Sequence, residues 1–113
     1  MSSCVFCQRI EVGDYNEGGR GSVYFEPLNP VVPGHMLFIH RLHSPDAAAQ
    51  PWITGLVCEA AAVYGQSVDT PFNLITSVGA EATQTIRHLH VHYVPRREGD
   101  GLTLPWTGQE TRS

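Results

Sequence analysis

The sequence contains no lysine, and all seven of its basic residues are arginine, against eleven acidic residues. The net charge of −4 and the isoelectric point of about 5.8 argue against a broad contact surface for nucleic acid or for an anionic membrane. No apolar run approaches the roughly 20 residues that a membrane-spanning helix needs. We therefore expect no nucleic-acid or membrane partner, and any phosphate site must use arginine, imidazole, hydroxyl or backbone amide groups.

Cysteine is also scarce, and its three examples are Cys4, Cys7 and Cys58. An odd number with one close Cys-x-x-Cys pair does not resemble the disulfide framework of a small secreted domain. A metal-binding pair and a buried thiol fit this pattern better. The start of the chain lacks the basic and apolar regions of a secretory signal, so we expect a reducing, cytoplasmic location.

The length and the spacing of apolar residues predict one small α+β domain. Apolar residues recur at helical spacing from Pro51 to Ser67, which predicts one long helix. Residues 12–21 are rich in glycine and polar side chains, which is typical of a loop or a hairpin tip. Four short strands are predicted, at residues 22–25, 35–40, 72–77 and about 87–94. One long helix among short strands favours a mainly antiparallel sheet.

Three of the six histidines alternate with apolar residues in the last predicted strand. Because successive side chains on a strand point to opposite faces, His88, His90 and His92 share one face, and Leu89 and Val91 lie on the other. Imidazoles on one face can attack a substrate atom, hydrogen-bond the same group or bind a metal. The His-x-His-x-Asp-His pattern of metallo-hydrolases is absent, so we expect mixed roles rather than three metal ligands.

Four motifs, in this order along the chain, resemble those of the histidine triad (HIT) superfamily. Cys4-Val5-Phe6-Cys7 resembles the amino-terminal Cys-x-Phe-Cys of many bacterial members, and Pro30 to His35 resembles the Pro-x-x-Pro-Gly-His segment. Gln84-Thr85-Ile86 resembles the Gln-Ser/Thr-Val that precedes the triad. His88 to Val94 matches the signature His-φ-His-φ-His-φ-φ, where φ is apolar. The resemblance covers residues 4–97.

The resemblance implies a HIT-like α+β fold, with a five-stranded antiparallel sheet, one long helix and one short helix. Members of the family usually carry the helices on one side of the sheet and pair as homodimers through the long helix and a sheet edge. For this chain the resemblance implies a HIT domain over residues 1–100 and a carboxy-terminal tail over residues 101–113. Trp106 in that tail either shapes substrate choice at a partner's site or lies in a flexible segment.

The resemblance also implies roles for individual residues. The middle triad histidine, His90, would attack an α-phosphorus and form a nucleotidyl-histidine that water then hydrolyses. His92 would hydrogen-bond the phosphate or the leaving group. His35 would support the triad, or would be a satisfied, half-buried histidine without substrate contact. The remaining implied contacts in the phosphate region are Thr85, Gln84 and Ser77.

In members with the amino-terminal cysteine pair, the first triad histidine completes a structural zinc site. In this chain the implied ligands are Cys4, Cys7, His43 and His88, which form a closed Cys₂His₂ set. The alternative is a cysteine pair whose site is empty or partly filled. His40 stands where members commonly have proline, so we expect it at the surface or at a strand end, without a catalytic role.

The implied activity is that of a histidine triad nucleotide hydrolase or transferase, which cleaves nucleoside phosphoramidates or related nucleotidyl compounds at the α-phosphate. The alternatives are a dinucleoside polyphosphate hydrolase and a non-catalytic nucleotide-binding module. Pro27 stands where the family has the Asp or Asn that contacts the ribose, and Ser77 replaces an Asn or Gln. The arginines that flank the two motif strands either add positive potential at a phosphate site or are solvated strand-end charges, and Arg87 alternates away from the histidine face: Arg41, Arg87, Arg96 and Arg97.

Overall fold

A computed structural model describes residues 3–109 of the chain; the first two residues and the last four residues of the predicted tail lie outside it. The order of elements is α1 (Val5–Val12), β1 (Asn16–Gly19), β2 (Ser22–Phe25), β3 (Met36–His40), α2 (Pro51–Val68), β4 (Phe72–Ile75) and β5 (Val91–Pro95). A short 3₁₀ helix at Ala80–Ala82 lies between β4 and β5. No helix in the described part is both long enough and apolar enough to cross a lipid bilayer.

The strands form one antiparallel sheet in the order β1-β2-β3-β5-β4. This confirms the predicted α+β class, with a five-stranded sheet, one long helix and one short helix. The long helix begins at Pro51, which suits a first helical position because its missing N–H would have no partner there. It ends before Asp69, which adopts a left-handed conformation.

Two strands differ from the sequence prediction by more than two residues, while β3 and β4 differ by one and two residues at one end. β1 lies inside residues 12–21, which we expected to be a loop or hairpin tip, and its pairing with β2 shifts register between Glu17 and Gly19. β5 begins at Val91 rather than near Arg87. The backbone before β5 leaves the sheet, since the Leu89 N–H donates to the Ser44 carbonyl (2.6 Å) in the loop after β3.

The two faces of the sheet carry separate cores. On one face, Ile53 and Val57 of α2 pack on a buried group that includes Phe38, Val91 and Tyr93. On the other face, the buried apolar residues are Phe6 of α1 with Val23, Phe25, Leu37 and Ile39. The helices therefore lie on opposite faces, and the expectation of helices on one side is wrong. In β5, His92 pairs with Leu37 and so faces the α1 side.

Candidate functional site

A cavity of about 410 Å³, within the usual size range of small-molecule sites, opens on the α1 face of the sheet beside β5 and β4. His35, His90 and His92 all contribute to its wall. Its other lining residues come from the neighbouring loops and strands and from the start of the predicted tail: Val31, Asn73, Ile75, Ser77, Thr83, Gln84, Val94, Arg96, Gly101, Leu102, Thr103 and Leu104.

A backbone carbonyl just before β5 determines the tautomer of His90. Its Nδ1–H donates to the His88 carbonyl at 2.8 Å, because a carbonyl oxygen can only accept. The lone pair of the neutral ring is therefore on Nε2. The ring lies between two others, with its centroid 5.3 Å from that of Phe6 and 5.3 Å from that of His92. His90 thus presents a single nucleophilic nitrogen.

The turn before β3 brings His35 to His92. Gly34 adopts a positive φ of 91°, and a Cβ at that position would lie 3.2 Å from Pro95, so this turn favours glycine. The Val31 N–H donates to His35 Nδ1 (3.1 Å), which places the proton of His35 on Nε2. That Nε2–H donates to His92 Nδ1 at 2.9 Å. His92 consequently carries its own proton on Nε2.

His35 and His92 are uncharged near neutral pH. Burial lowers the pKa of His92 to about 4, and the neighbouring His90 and His35 add to this shift. Burial also lowers the pKa of His35 below its ordinary value. His92 therefore offers the cavity an N–H donor rather than a positive charge.

The structure brings two of the three predicted polar contacts to the cavity. Ser77 and Gln84 line it, but Thr85 does not. Thr85 lies exposed in a separate pocket that it shares with Cys4 and His43, and Thr83 lines the cavity instead. The Gln84 amide is satisfied by the protein itself, since Oε1 accepts from Gly79 N–H (3.0 Å) and Nε2 donates to two backbone carbonyls.

Sequence analysis missed the ion pair between Arg96, which lines the cavity, and Asp100, which lies behind it. The Arg96 guanidinium donates to both carboxylate oxygens of Asp100 (2.8 and 3.2 Å) and to Asn73 Oδ1 (2.7 Å). These contacts, with the N–H groups of Leu102 and Arg97, hold the pKa of Asp100 well below its usual range. The arrangement folds the start of the predicted tail over the cavity, with Leu102 and Leu104 in its wall. A sequence signal existed in Asp100 between two glycines, four residues after Arg96.

A second cluster, of two cysteines and two histidines, lies outside the cavity and includes His88. One ligand atom from each of Cys4, Cys7, His43 and His88 lies within 4.8 Å of all the others. The His88 Nε2–H donates to the His40 carbonyl (3.2 Å), so its lone pair is on Nδ1. That Nδ1 lies 3.4 Å from Cys4 Sγ, 3.5 Å from Cys7 Sγ and 3.1 Å from His43 Nδ1.

The three separations from His88 Nδ1 are close to those between ligands of one metal ion. A zinc tetrahedron with ordinary Zn–N and Zn–S bond lengths has edges of about 3.3–3.8 Å. Burial lowers the pKa of His88 to about 4, which keeps the metal-binding form of the imidazole available. The four residues predicted from the sequence are therefore close enough to bind one metal ion.

His40 is buried, so the expectation of a surface position is wrong, although it is the last residue of β3 as a strand-end residue would be. Its Nδ1 accepts from the Leu42 N–H (3.0 Å), and its Nε2–H donates to the Arg20 carbonyl (2.9 Å). The ring is also close to Gly21, whose φ is 83°. His40 does not line the cavity, and its hydrogen bonds to the backbone indicate a structural role.

Comparisons with known proteins show the family to which the chain belongs. The HIT domain family model matches residues 20–99. The adenylylsulfatase HINT3 of Arabidopsis thaliana is 29% identical over 125 residues, an alignment that covers 99% of this chain but 60% of that protein. The adenosine 5'-monophosphoramidase HNT1 of Saccharomyces cerevisiae is 29% identical over 117 residues, covering 97% of this chain and 73% of that protein.

Solved structures show the same fold. A HIT family protein from Bacillus anthracis superimposes with a TM-score of 0.72 at 27% identity, covering 96% of this chain and 84% of that one. A HIT family hydrolase from Clostridium thermocellum gives a TM-score of 0.72 at 24% identity, covering 88% and 95% of the two chains. Because the family model matches well over half of its residues, this chain belongs to the histidine triad (HIT) domain family.

Proposed function

We propose that this protein is a nucleotide hydrolase that cleaves nucleoside phosphoramidates, or related nucleotidyl compounds, at the α-phosphate. One observation carries the proposal. His90 presents its lone pair on Nε2 in a cavity where His92 carries an N–H donor on the neighbouring ring. A nucleophile and a hydrogen-bond donor side by side suit a displacement at phosphorus, where the donor stabilises the charge on the phosphate oxygens.

The reaction proceeds by two displacements. In the first, the His90 Nε2 lone pair bonds to phosphorus while the bond between phosphorus and the leaving amine breaks. The amine leaves with the electron pair of that bond and takes a proton from solvent. The imidazole becomes positively charged, because Nδ1 keeps its proton, and the His88 carbonyl accepts that proton's hydrogen bond throughout. His92 donates its Nε2–H to a phosphate oxygen.

In the second displacement, water attacks phosphorus and gives its protons to the solvent and the released amine. The electron pair of the N–P bond returns to His90 Nε2, and a nucleoside monophosphate leaves. His35 acts through His92, since its Nε2–H occupies His92 Nδ1 and so keeps the His92 proton on the nitrogen that can reach the substrate. Of the predicted polar contacts, Ser77 and Gln84 remain proposed phosphate-region residues, while the position of Thr85 gives its proposed role no support.

The charge of the cavity favours substrates with little negative charge over a polyphosphate chain. Arg96 is the cation among the described lining residues, and Asp100 neutralises it at 2.8 Å. His35 and His92 are uncharged at neutral pH. A phosphoramidate has one negative charge, whereas each further phosphate adds another that this cavity does not balance. The Arabidopsis HINT3 and yeast HNT1 relatives are named for adenylylsulfate and for adenosine monophosphoramidate, whereas a further Arabidopsis relative, 28% identical, is named for bis(5'-adenosyl)-triphosphate as well as adenylylsulfate.

A trapping experiment tests the function. The protein is mixed with adenosine 5'-phosphoramidate labelled at phosphorus, quenched in seconds and assayed for covalent label. We expect a labelled protein that disappears in His90→Ala but persists in His40→Gln, the matched control whose ring lies outside the cavity. Nucleotide binding without label or hydrolysis would favour the non-catalytic module. A higher kcat/KM for a diadenosine polyphosphate would favour the polyphosphate hydrolase.

We further propose that zinc occupies the Cys4, Cys7, His43 and His88 cluster. Four protein ligands leave no open position for water, so the ion would supply folding stability and not take part in the reaction.

We also propose that the protein forms a homodimer. β4 is an edge strand with Leu74 and Ile75 partly exposed. Trp52 and Val63 are more than half exposed and lie three turns apart on α2. The mass of the particle in solution by light scattering tests this assignment. The cytoplasmic location stays a prediction.

A further inference from the structure

We propose that Phe6 is a positioning residue for His90: its ring holds the imidazole in the one orientation that directs Nε2 to the substrate. This inference rests on the proposed function, in which His90 is the nucleophile. It gives a role to a residue that the metal cluster and the cavity leave unassigned, although it stands between Cys4 and Cys7 in the sequence.

The contacts of Phe6 single it out within α1. It is the buried residue of that helix, with 7% of its surface exposed. Its ring meets the His90 ring edge to face, with centroids 5.3 Å apart and planes at 75°. It meets the His88 ring in the same manner at 5.8 Å and 82°. Phe25 lies behind it, with centroids 5.6 Å apart.

His90 needs such a support because little else restrains its ring. One face of the site is the open cavity, and the hydrogen bond to the His88 carbonyl is the contact that orients Nδ1. A single neutral hydrogen bond is a modest net restraint. If the ring turned over, Nδ1 would leave that carbonyl and Nε2 would move away from the phosphorus. Phe6 and His92, both 5.3 Å away, bound the ring against this rotation.

Phe6 also connects the nucleophile to the amino-terminal helix. The Cys7 N–H donates to Cys4 Sγ (3.4 Å) at the start of α1, so the two cysteines fix the helical turn from which Phe6 projects. The position of this ring therefore depends on the same turn that carries two of the proposed metal ligands.

Kinetics of Phe6→Ala and Phe6→Leu test the proposal, with Phe25→Leu as the matched control from the same core group. Phe25 is as buried as Phe6, and its described ring contacts are with Phe6 and Arg9. We expect Phe6→Ala to lower kcat and the rate of adduct formation about 100-fold, the scale of a misplaced reacting group, with KM largely unchanged. Phe6→Leu should recover part of that loss, and Phe25→Leu should keep wild-type kcat.

A spectroscopic measurement separates positioning from stability. With ¹⁵N-labelled histidine, the wild-type protein should show His90 as the tautomer protonated on Nδ1, and folded Phe6→Leu should show a mixture. Wild-type kcat in Phe6→Ala, or equal losses of kcat in Phe6→Leu and Phe25→Leu, would overturn the proposal. If the wild-type protein forms no adduct, the proposed function fails, while an unchanged His90 tautomer in Phe6→Leu would refute the positioning role by itself.

Discussion

At the scale of single residues, the fold controls where the protons of the histidines lie. One ring nitrogen of His90, of His35 and of His88 is committed to a backbone group: the His88 carbonyl, the Val31 N–H and the His40 carbonyl, respectively. A backbone group cannot exchange its role as donor or acceptor. The path of the main chain therefore determines the role of the other nitrogen. In His90 it would attack the substrate, in His35 it relays a hydrogen bond, and in His88 it would bind metal.

Asp100 should control both affinity and selectivity through Arg96, the ionisable side chain with which it pairs. In Asp100→Ala, the segment 101–104 loses its anchor and the Arg96 guanidinium loses its counter-ion. We expect KM for a phosphoramidate to rise about tenfold. Selectivity should shift toward a diadenosine polyphosphate, because the cavity gains an unpaired cation.

Steady-state kinetics on both substrates measure this effect, and Glu98→Ala is the control, an exposed acidic residue two positions away. Asp100→Asn should fall between the wild-type protein and Asp100→Ala, since the amide oxygen still accepts hydrogen bonds. Unchanged KM and unchanged selectivity in Asp100→Ala would contradict the assigned role.

At the scale of elements, α1 is the helix whose stability depends most on contacts with the rest of the protein. Eight residues are too few for a helix to be stable alone in water, and α1 buries Phe6 as its apolar anchor. Cys4 and Cys7 offer the second attachment, to His43 and His88 beside the sheet. A metal ion would thus tie the first helix to the segment that carries the triad.

Metal analysis tests this attachment. We expect about one zinc per chain, and expect chelation or Cys4→Ser to lower Tm by about 10 °C or more, because loss of the ion also frees α1. Cys58→Ser, whose half-buried thiol lies on α2, should keep the metal. Purified protein without metal, together with an unchanged Tm in Cys4→Ser, would refute the zinc site.

The elements that the sequence predicted well are those whose own residues determine them. The helix from Pro51 has a continuous apolar stripe, and the strand at residues 22–25 is apolar and aromatic, so both were found where expected. β1 was missed because it is half glycine and packs few side chains. The predicted start of β5 was wrong because the Leu89 N–H donates to the carbonyl of Ser44, in a loop far from it in sequence.

The same distinction applies to the site. The alternation of His90 and His92 predicts their common position, and both line the cavity although His90 precedes β5. Asn73 and Arg96 meet only because β4 pairs with β5, a contact between segments that are far apart in sequence. The placement of Thr85 outside the cavity depends on the path of the loop after the 3₁₀ helix, for which neither periodicity nor a motif gives a rule.

At the scale of the whole molecule, stability should depend on pH through buried neutral histidines. The folded-state pKa values of His88 and His92, about 4, lie below the usual value of about 6.5, and that of His35 is also lowered. The unfolded chain therefore binds more protons than the folded chain between these limits. The free energy of unfolding is at its full value above about pH 6.5 and decreases as the pH falls toward about 4.

Urea unfolding of the metal-free protein at pH 7 and pH 5 measures this dependence. For His88, which is fully buried, the slope reaches about 1.4 kcal/mol per pH unit, and His35 and His92 add less because the cavity gives them access to solvent. His92→Gln should show a shallower slope. Equal free energies of unfolding at the two pH values would contradict the assignment of neutral histidines.

Local stability should differ between the two faces of the sheet, because the helix on one face buries more residues than the helix on the other. α2 buries five of its residues, at positions 53, 57, 60, 61 and 65, whereas α1 buries only Phe6. Backbone amides under few apolar contacts exchange with solvent through small openings, and those in a large core exchange only when the whole domain unfolds. We expect hydrogen exchange in α1 to be fast and exchange in α2 to follow global unfolding. The protein can then lose the support of its nucleophile while the rest of its fold persists.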